Sequence, residues 1–270
     1  MERVLITLTP SEAKRLIGKA VAMMEPVRES LKKGTIVICL GTTNAYVAEE
    51  ILGRRMKERG MFSIGVITPE GTCVSDSDRR SKEIVISKGK LMNLGLKDVI
   101  KELGPSDVFI KGANALDPWG NAGVYLGSKT GGTMGMSIGV ILARGVKVII
   151  PVSLEKFIPY SVADLVPRLG NEKFLFSMNL PVGMMPILGE IVTEIEAMNT
   201  LFGCECLPIG GSGINGGEGS RCYLIEGDKR SVNDAWKGVM KIKGELPLTV
   251  KLEDCRKCKM ECKRGMKSVA

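Results

Sequence analysis

The chain has 270 residues, a hydrophobic content of 44% and a formal charge of +8, enough apolar material to fill one large domain or two modest ones. It contains no histidine, which excludes imidazole as base, proton shuttle or metal ligand and leaves Asp, Glu, Lys, Cys and Tyr for acid–base work. No uncharged run reaches the roughly 18 apolar residues of a membrane span, and the first residues lack a signal-peptide pattern, so a cytoplasmic protein with no membrane association is expected.

The elements follow in chain order. Thr9-Pro10-Ser11-Glu12 has the form of a capping box with proline at the first helical position, predicting a helix from Pro10 toward Met24 that Pro26 interrupts. Residues 35–40, TIVICL, carry β-branched side chains on both faces and read as a central parallel strand. Gly41-Thr42-Thr43-Asn44 follows, then a helix with Ala45, Ala48, Ile51 and Leu52 on its apolar stripe. Two readings of these four residues stay open: an anion cradle of hydroxyls and helix N–H groups, or ordinary N-capping. Strands are predicted at 63–68 and 83–89, a helix at 96–104, and strands again at 107–110 and 146–152.

Between the last two lies the glycine-rich stretch 111–137, in which seven of twenty-seven residues are glycine. It reads as a loop that leaves a strand and enters a helix at 137–144, where backbone N–H groups favour phosphates and carboxylates. The alternation of strand and helix predicts an α/β domain over 1–171, an open, mostly parallel sheet with helices on both faces. Ligands of such sheets bind beyond the carboxyl ends of the strands, which brings the loops after 40 and after 110 to one edge.

Past Pro151 the pattern changes. Strands at 173–180, 204–210, 220–227 and 247–252, with helices at 187–202 and 231–242, give the order βαββαβ, so a smaller ferredoxin-like α+β domain is expected over 172–252. Residues 253–270 form a basic, cysteine-rich tail. Seven Lys or Arg against three acids over 251–267 attract polyanions, but aromatics make up only 4% of the chain, so no stacking surface is present and nucleic-acid binding is disfavoured. In the tail Cys255, Cys258 and Cys262 are spaced CxxCxxxC, with Arg256, Lys257, Lys259, Lys263 and Arg264 around them to favour thiolates. Three sulfurs fall one short of the four ligands ordinary for zinc or an iron–sulfur cluster, and Cys204, Cys206 or Cys222 could complete the set. A disordered basic tail with free thiols, or a disulfide pair as in a thermophile, is the competing reading. Cys39 and Cys73 read as a core residue and an incidental thiol.

Taken together, the two glycine loops and the sheet resemble the superfamily of ribose-5-phosphate isomerase, glucosamine-6-phosphate isomerase and coenzyme A transferases, with DeoR-type sensor domains and methylthioribose-1-phosphate isomerase also similar. Gly41-Thr42-Thr43-Asn44 looks like the phosphate loop of that group. Gly112-Ala113-Asn114, then Asp117, then Ser128-Lys129-Thr130-Gly131-Gly132 look like its Gly-Ala-Asp, acidic and lysine–glycine segments. The resemblance implies a phosphorylated ligand held by Gly41, Thr42, Thr43, Asn44, Gly112, Asn114, Gly131, Gly132 and Thr133, with Asp117 as base and Lys129 adding charge. Two departures count against direct transfer of the isomerase reaction: Asn114 stands where the family has a catalytic aspartate, and Lys111 where ribose-5-phosphate isomerase has an acid. An amide cannot abstract a proton.

The function expected is binding of a sugar phosphate, nucleotide or coenzyme A-like anion at the carboxyl edge of the sheet, as a divergent isomerase-like enzyme. A non-catalytic sensing module and a protein with a cysteine-ligated Fe–S or Zn site are the alternatives. Homo-oligomerisation stays open.

Overall fold

The computed structural model describes residues 1–263; Arg264 and Lys267, part of the tail's charge, lie outside them. Strand β1 (Glu2–Leu8) alternates as a half-covered strand must, burying Ile6 and Leu8 and exposing Leu5. Helix α1 (Pro10–Met23) starts where the sequence predicts. The Thr9 hydroxyl accepts from the Glu12 N–H at 3.3 Å and the Glu12 carboxylate from the Thr9 N–H at 2.9 Å. Helix α2 (Glu25–Lys33) takes Pro26 into its first turn and ends on Lys32 and Lys33, which complement its dipole. Strand β2 (Thr35–Ile38) then leads into α3 (Thr42–Leu52), which stops at the left-handed Gly53.

A separate ribbon follows, β3 (Gly65–Thr68) and β4 (Gly71–Val74), and after it β5 (Ile84–Ser87), β6 (Lys90–Met92), the short α4 (Leu96–Val99) and β7 (Val108–Ile110). The glycine-rich stretch is not a simple loop. It contains β8 (Ala115–Leu116) and β9 (Ala122–Leu126), and its helix α5 (Gly132–Ala143) begins ahead of the expected start at 137. The chain continues through β10 (Lys147–Pro151), α6 (Val162–Leu165), β11 (Gly183–Ile187), β12 (Glu190–Val192), α7 (Glu194–Phe202), β13 (Glu205–Ser212), β14 (Ser220–Gly227) and α8 (Lys229–Met240).

The architecture is mixed α/β around a six-stranded sheet of order β12-β10-β7-β2-β5-β6. The first four strands are mutually parallel, β5 runs antiparallel to β2, and β6 antiparallel to β5. Consecutive residues Ile36, Val37 and Ile38, and likewise Val108, Phe109 and Ile110, are all fully buried. Side chains on both faces of the sheet are therefore covered, as the continuous apolar runs require. One hydrophobic cluster extends from Ile6 through Ile110 and Ile150 to Ile225 and Val239. No helix among the described residues is long and apolar enough to cross a membrane.

The ferredoxin-like unit expected over 172–252 is not found. Its predicted first strand, 173–180, contributes only a single bridge, Asn179 to Thr72, and exposes Leu175, Phe176 and Met178. The predicted last strand, 247–252, contributes a single bridge, Leu252 to Ser75. The real partner of β14 comes from the other end of the chain: β1 pairs along its whole length, Glu2 with Gly227 through Leu8 with Arg221, in the antiparallel sheet β1-β14-β13. The helix predicted for 187–202 is halved because Gly189 lies against Val148, where an added Cβ would stand 2.6 Å from its carbonyl oxygen. That close approach seats β12 on β10, and Thr193 then caps α7.

Candidate functional site

A cleft of about 1320 Å³ opens beyond the carboxyl ends of β2, β7 and β10, where open parallel sheets bind ligands. Three strand exits and one helix start furnish its polar floor. From β2 come Cys39, Leu40 and Gly41, leading to Thr42 and Thr43 in the first turn of α3. Gly41 at the N-cap has no side chain to satisfy that turn, so its orphan N–H groups remain for another acceptor. The hydroxyl of Thr43, a residue only 1% exposed, has no hydrogen-bond partner among the described residues, a costly state for a buried polar atom. Asn44 lies behind the floor and ties two strand ends together, its Nδ2 donating to Cys39 O at 2.8 Å and Ile110 O at 3.3 Å.

From β7 come Lys111, Gly112, Ala113 and Asn114. Asn114 accepts the Tyr125 N–H at 3.0 Å on Oδ1, while its Nδ2 finds no acceptor among the described residues. From β10 the chain runs through Ser153 and Leu154 to Glu155 and Lys156. Buried Glu194, at the start of α7, accepts Ser153 Oγ at 2.7 Å and the Leu154 N–H at 3.0 Å and so fixes this turn; burial pushes its carboxyl upward in pKa. Lys156 donates to Ala113 O at 2.8 Å. Lys14, one turn into α1, donates to Pro10 O at 3.3 Å and pairs with Glu155 at 2.7 Å.

The position of α1 over α3 is set by close packing and a buried charge network. A Cβ on Gly18 would fall 2.9 Å from the carbonyl carbon of Tyr46. The Tyr46 ring lies between the guanidinium groups of Arg15, at 4.6 Å, and Arg59, at 4.4 Å. Arg15 is 1% exposed and is matched by Glu49, by Glu50 at 2.8 Å and by Glu245 at 2.9 Å, so the buried cation is paired, as it must be.

The electrostatics of the floor are one-sided. Glu155 is engaged by Lys14, and neither Lys111 nor Lys156 forms an ion pair among the described residues. Burial holds Lys111 below the ordinary lysine pKa. Burial, with Lys14 and Lys111 nearby and Glu155 opposing, brings Lys156 down to about 8. Burial also pushes the Cys39 thiol up to about 12, which makes it inert at neutral pH. The far wall belongs to α5. Gly131 precedes it in a left-handed conformation, φ 75, and a Cβ on Gly135 would lie 2.2 Å from Thr130 O, so both positions demand glycine. An irregular strap over 244–260, with Leu246, Pro247 and Leu248, faces the ribbon residues Ile64, Val66 and Ile67 across the apolar half of the cleft.

Of the residues singled out in the sequence, Gly41, Thr42, Thr43, Gly112, Asn114, Gly131, Gly132 and Thr133 line this one cleft. Asp117 and Lys129 do not. The Asp117 carboxylate, 2% exposed, accepts N–H groups of Trp119 at 3.0 Å, Asn121 at 2.8 Å and Val162 at 3.0 Å, and the Asn121 side-chain amide at 2.9 Å. Burial alone would raise its pKa, but these donors hold it below the usual value. It organises a turn. Lys129 is exposed and pairs with Glu261 at 2.9 Å and Glu172 at 3.4 Å, which raise its pKa. Cys255, Cys258 and Cys262 belong to no group of three or more potential metal ligands among the described residues. Cys204 and Cys206 are buried in the core, and Cys222 Sγ lies 3.1 Å from Thr7 Oγ1 on the β1–β14 pair.

Lys14, Glu155 and Lys156 escaped the sequence reading, and Lys111 entered it only as a departure from the isomerases. The signal was there: Lys111 directly follows the buried strand 108–110, and Lys156 follows the next parallel strand within one turn. Fold and site together define a mixed α/β protein with a cleft at the carboxyl edge of its sheet whose floor carries Lys111 and Lys156. No family model, curated protein or solved structure matches the chain.

Proposed function

We propose that the cleft binds a phosphorylated small molecule of the sugar-phosphate, nucleotide or coenzyme A-like class, its phosphate seated at the amino end of α3. One observation carries the reading: among the described residues, Lys111 and Lys156 face the cleft without an ion-pair partner, beside a helix start whose buried Thr43 hydroxyl has no hydrogen-bond partner. Two half-buried ammonium groups lining one cleft floor repel each other, and an anion bound there relieves both the repulsion and the desolvation cost. A phosphate oxygen at this point accepts from the α3 N–H groups and from Thr43 together. The apolar half of the cleft gives room for the rest of the ligand.

An isomerase-like reaction fits the resemblance of the two glycine loops, but its acid–base work falls on other groups than those the resemblance implies. Asp117 is consumed by its turn, and Lys156, with a pKa of about 8, is suited to exchange protons near neutral pH. Asn114 Nδ2 is placed to hold a substrate oxygen. The test is a thermal-shift screen of sugar phosphates, nucleotides and coenzyme A esters in phosphate-free buffer, with product analysis of each compound that binds. A ligand at a hundredfold excess over its Kd adds about 3 kcal/mol, a rise of roughly 6–12 °C for a chain of this size. If no phosphorylated compound raises the Tm, the cleft is not a phosphate site.

A further inference from the structure

We infer that Lys156 is a carbonyl-capturing lysine: the cleft takes a phosphorylated aldehyde or ketone and joins its carbonyl carbon to Lys156 Nζ as an imine. The inference rests on the phosphate reading of the cleft and narrows its substrate class.

Of the three lysines on the floor, only Lys156 has the surroundings of an amine nucleophile. Lys14 is tied to Glu155 at 2.7 Å. Lys111 directly follows β7 and lines the cleft with Cys39 and Gly41, at the phosphate end, and has the acidic Glu83 nearby. Lys156 is half-buried in the cleft wall and is held in one orientation by its bond to Ala113 O at 2.8 Å. The charged groups around it are Glu155, Lys14 and Lys111. Desolvation next to other cations is what turns an ammonium into an amine. The donor that a carbonyl oxygen needs is also at hand, because Asn114 Nδ2, on the segment whose Ala113 carbonyl anchors Lys156, has no acceptor among the described residues.

The step is balanced without any further reactant. The ammonium loses one proton to Glu155, the Nζ lone pair attacks the carbonyl carbon, and the carbon–oxygen π electrons pass to oxygen, which Asn114 supports. The same proton returns to the oxygen, together with one more from nitrogen. The carbon–oxygen bond then breaks, water leaves, and a protonated imine remains on Lys156. Ketone plus ammonium thus yields iminium plus water. Lys111 and the α3 N–H groups hold the phosphate throughout, so the carbonyl is presented to Nζ at high effective concentration.

The experiment uses the full chain with dihydroxyacetone phosphate and glycolaldehyde phosphate as probes. Sodium cyanoborohydride reduces any imine to a stable secondary amine, and intact-mass and peptide mass spectrometry locate it. The expected result is one adduct per chain on Lys156 with at least one probe, suppressed by excess inorganic phosphate and lost in Lys156→Arg. Trapping increases as the pH approaches about 8, where Lys156 gives up its proton. Mapping in the unsubstituted protein keeps the result independent of whether the variant folds. Adducts only on exposed lysines, insensitive to inorganic phosphate, overturn the inference. If inorganic phosphate still raises the Tm in that case, the phosphate site stands and only the imine falls; if phosphate has no effect either, both fall.

Discussion

Replacing Lys156 by methionine is expected to make the unliganded protein more stable while removing the proposed imine formation. Methionine has similar length and no charge. The difference between the ordinary lysine pKa of 10.5 and about 8 in the fold corresponds to ~3 kcal/mol of cost for keeping this ammonium in place at neutral pH. The substitution removes that cost and forfeits the hydrogen bond to Ala113 O, about 1 kcal/mol. A net gain of about 2 kcal/mol remains, or roughly 4–8 °C in Tm. The sign must depend on pH. Because the folded pKa lies below the unfolded one, the unfolded chain holds more protons between about 8 and 10.5, and the stability of the unsubstituted protein rises with pH through that window. Above it Lys156 is neutral in both states, so the variant is then the less stable by the lost hydrogen bond. Urea unfolding of both proteins at several pH values in phosphate-free buffer measures the difference, and the other titrating groups cancel. A variant that is less stable at neutral pH, by the same margin as above pH 10.5, refutes the view of Lys156 as a penalised charge.

Thr43→Val keeps the shape of the side chain and deletes the unpartnered hydroxyl; its apo stability should be unchanged or up by about 1 kcal/mol, while the Tm rise produced by phosphate shrinks. A fall in apo stability beyond ~1 kcal/mol would mean that the hydroxyl already has a partner. Asp117→Ala should cost roughly 2–4 kcal/mol at neutral pH, because it strands the N–H groups of Trp119, Asn121 and Val162. The phosphate-induced shift should persist. Since the folded pKa of Asp117 is depressed, its contribution is present above the unfolded value near 3.8 and is lost as the pH falls through the folded one, so the variant and the parent should converge in acid.

Local chemistry was legible in the sequence where it was decided locally. The capping box at Thr9 and Glu12 and the buried strands at β2, β7 and β10 follow from short-range rules, and these elements carry most of the cleft floor. Long-range pairing was not legible. Nothing near Glu2–Leu8 announces a partner more than two hundred residues away on β14, and without it the C-terminal segments imitate a βαββαβ unit. The apolar residues of 173–180 read as a strand because composition cannot tell a buried run from one laid on the surface with Phe176 and Met178 exposed. At the site, motif order favoured Asp117 and Lys129, whose residue types suit catalysis. Position decided otherwise: Asp117 sits in a turn of donors, and the cleft floor takes Lys111 and Lys156 from the segments after two strands, with Lys14 from α1.

The central claim is that an anion sits between the amino end of α3 and the floor lysines Lys111 and Lys156. Anomalous diffraction from crystals soaked with tungstate, a phosphate mimic, tests it most directly. The account predicts a peak in the cleft in contact with the Thr43 hydroxyl or N–H and with Lys111 Nζ, and its loss in Lys111→Met crystals. Tungstate bound only at the surface, with the cleft floor empty, would contradict it.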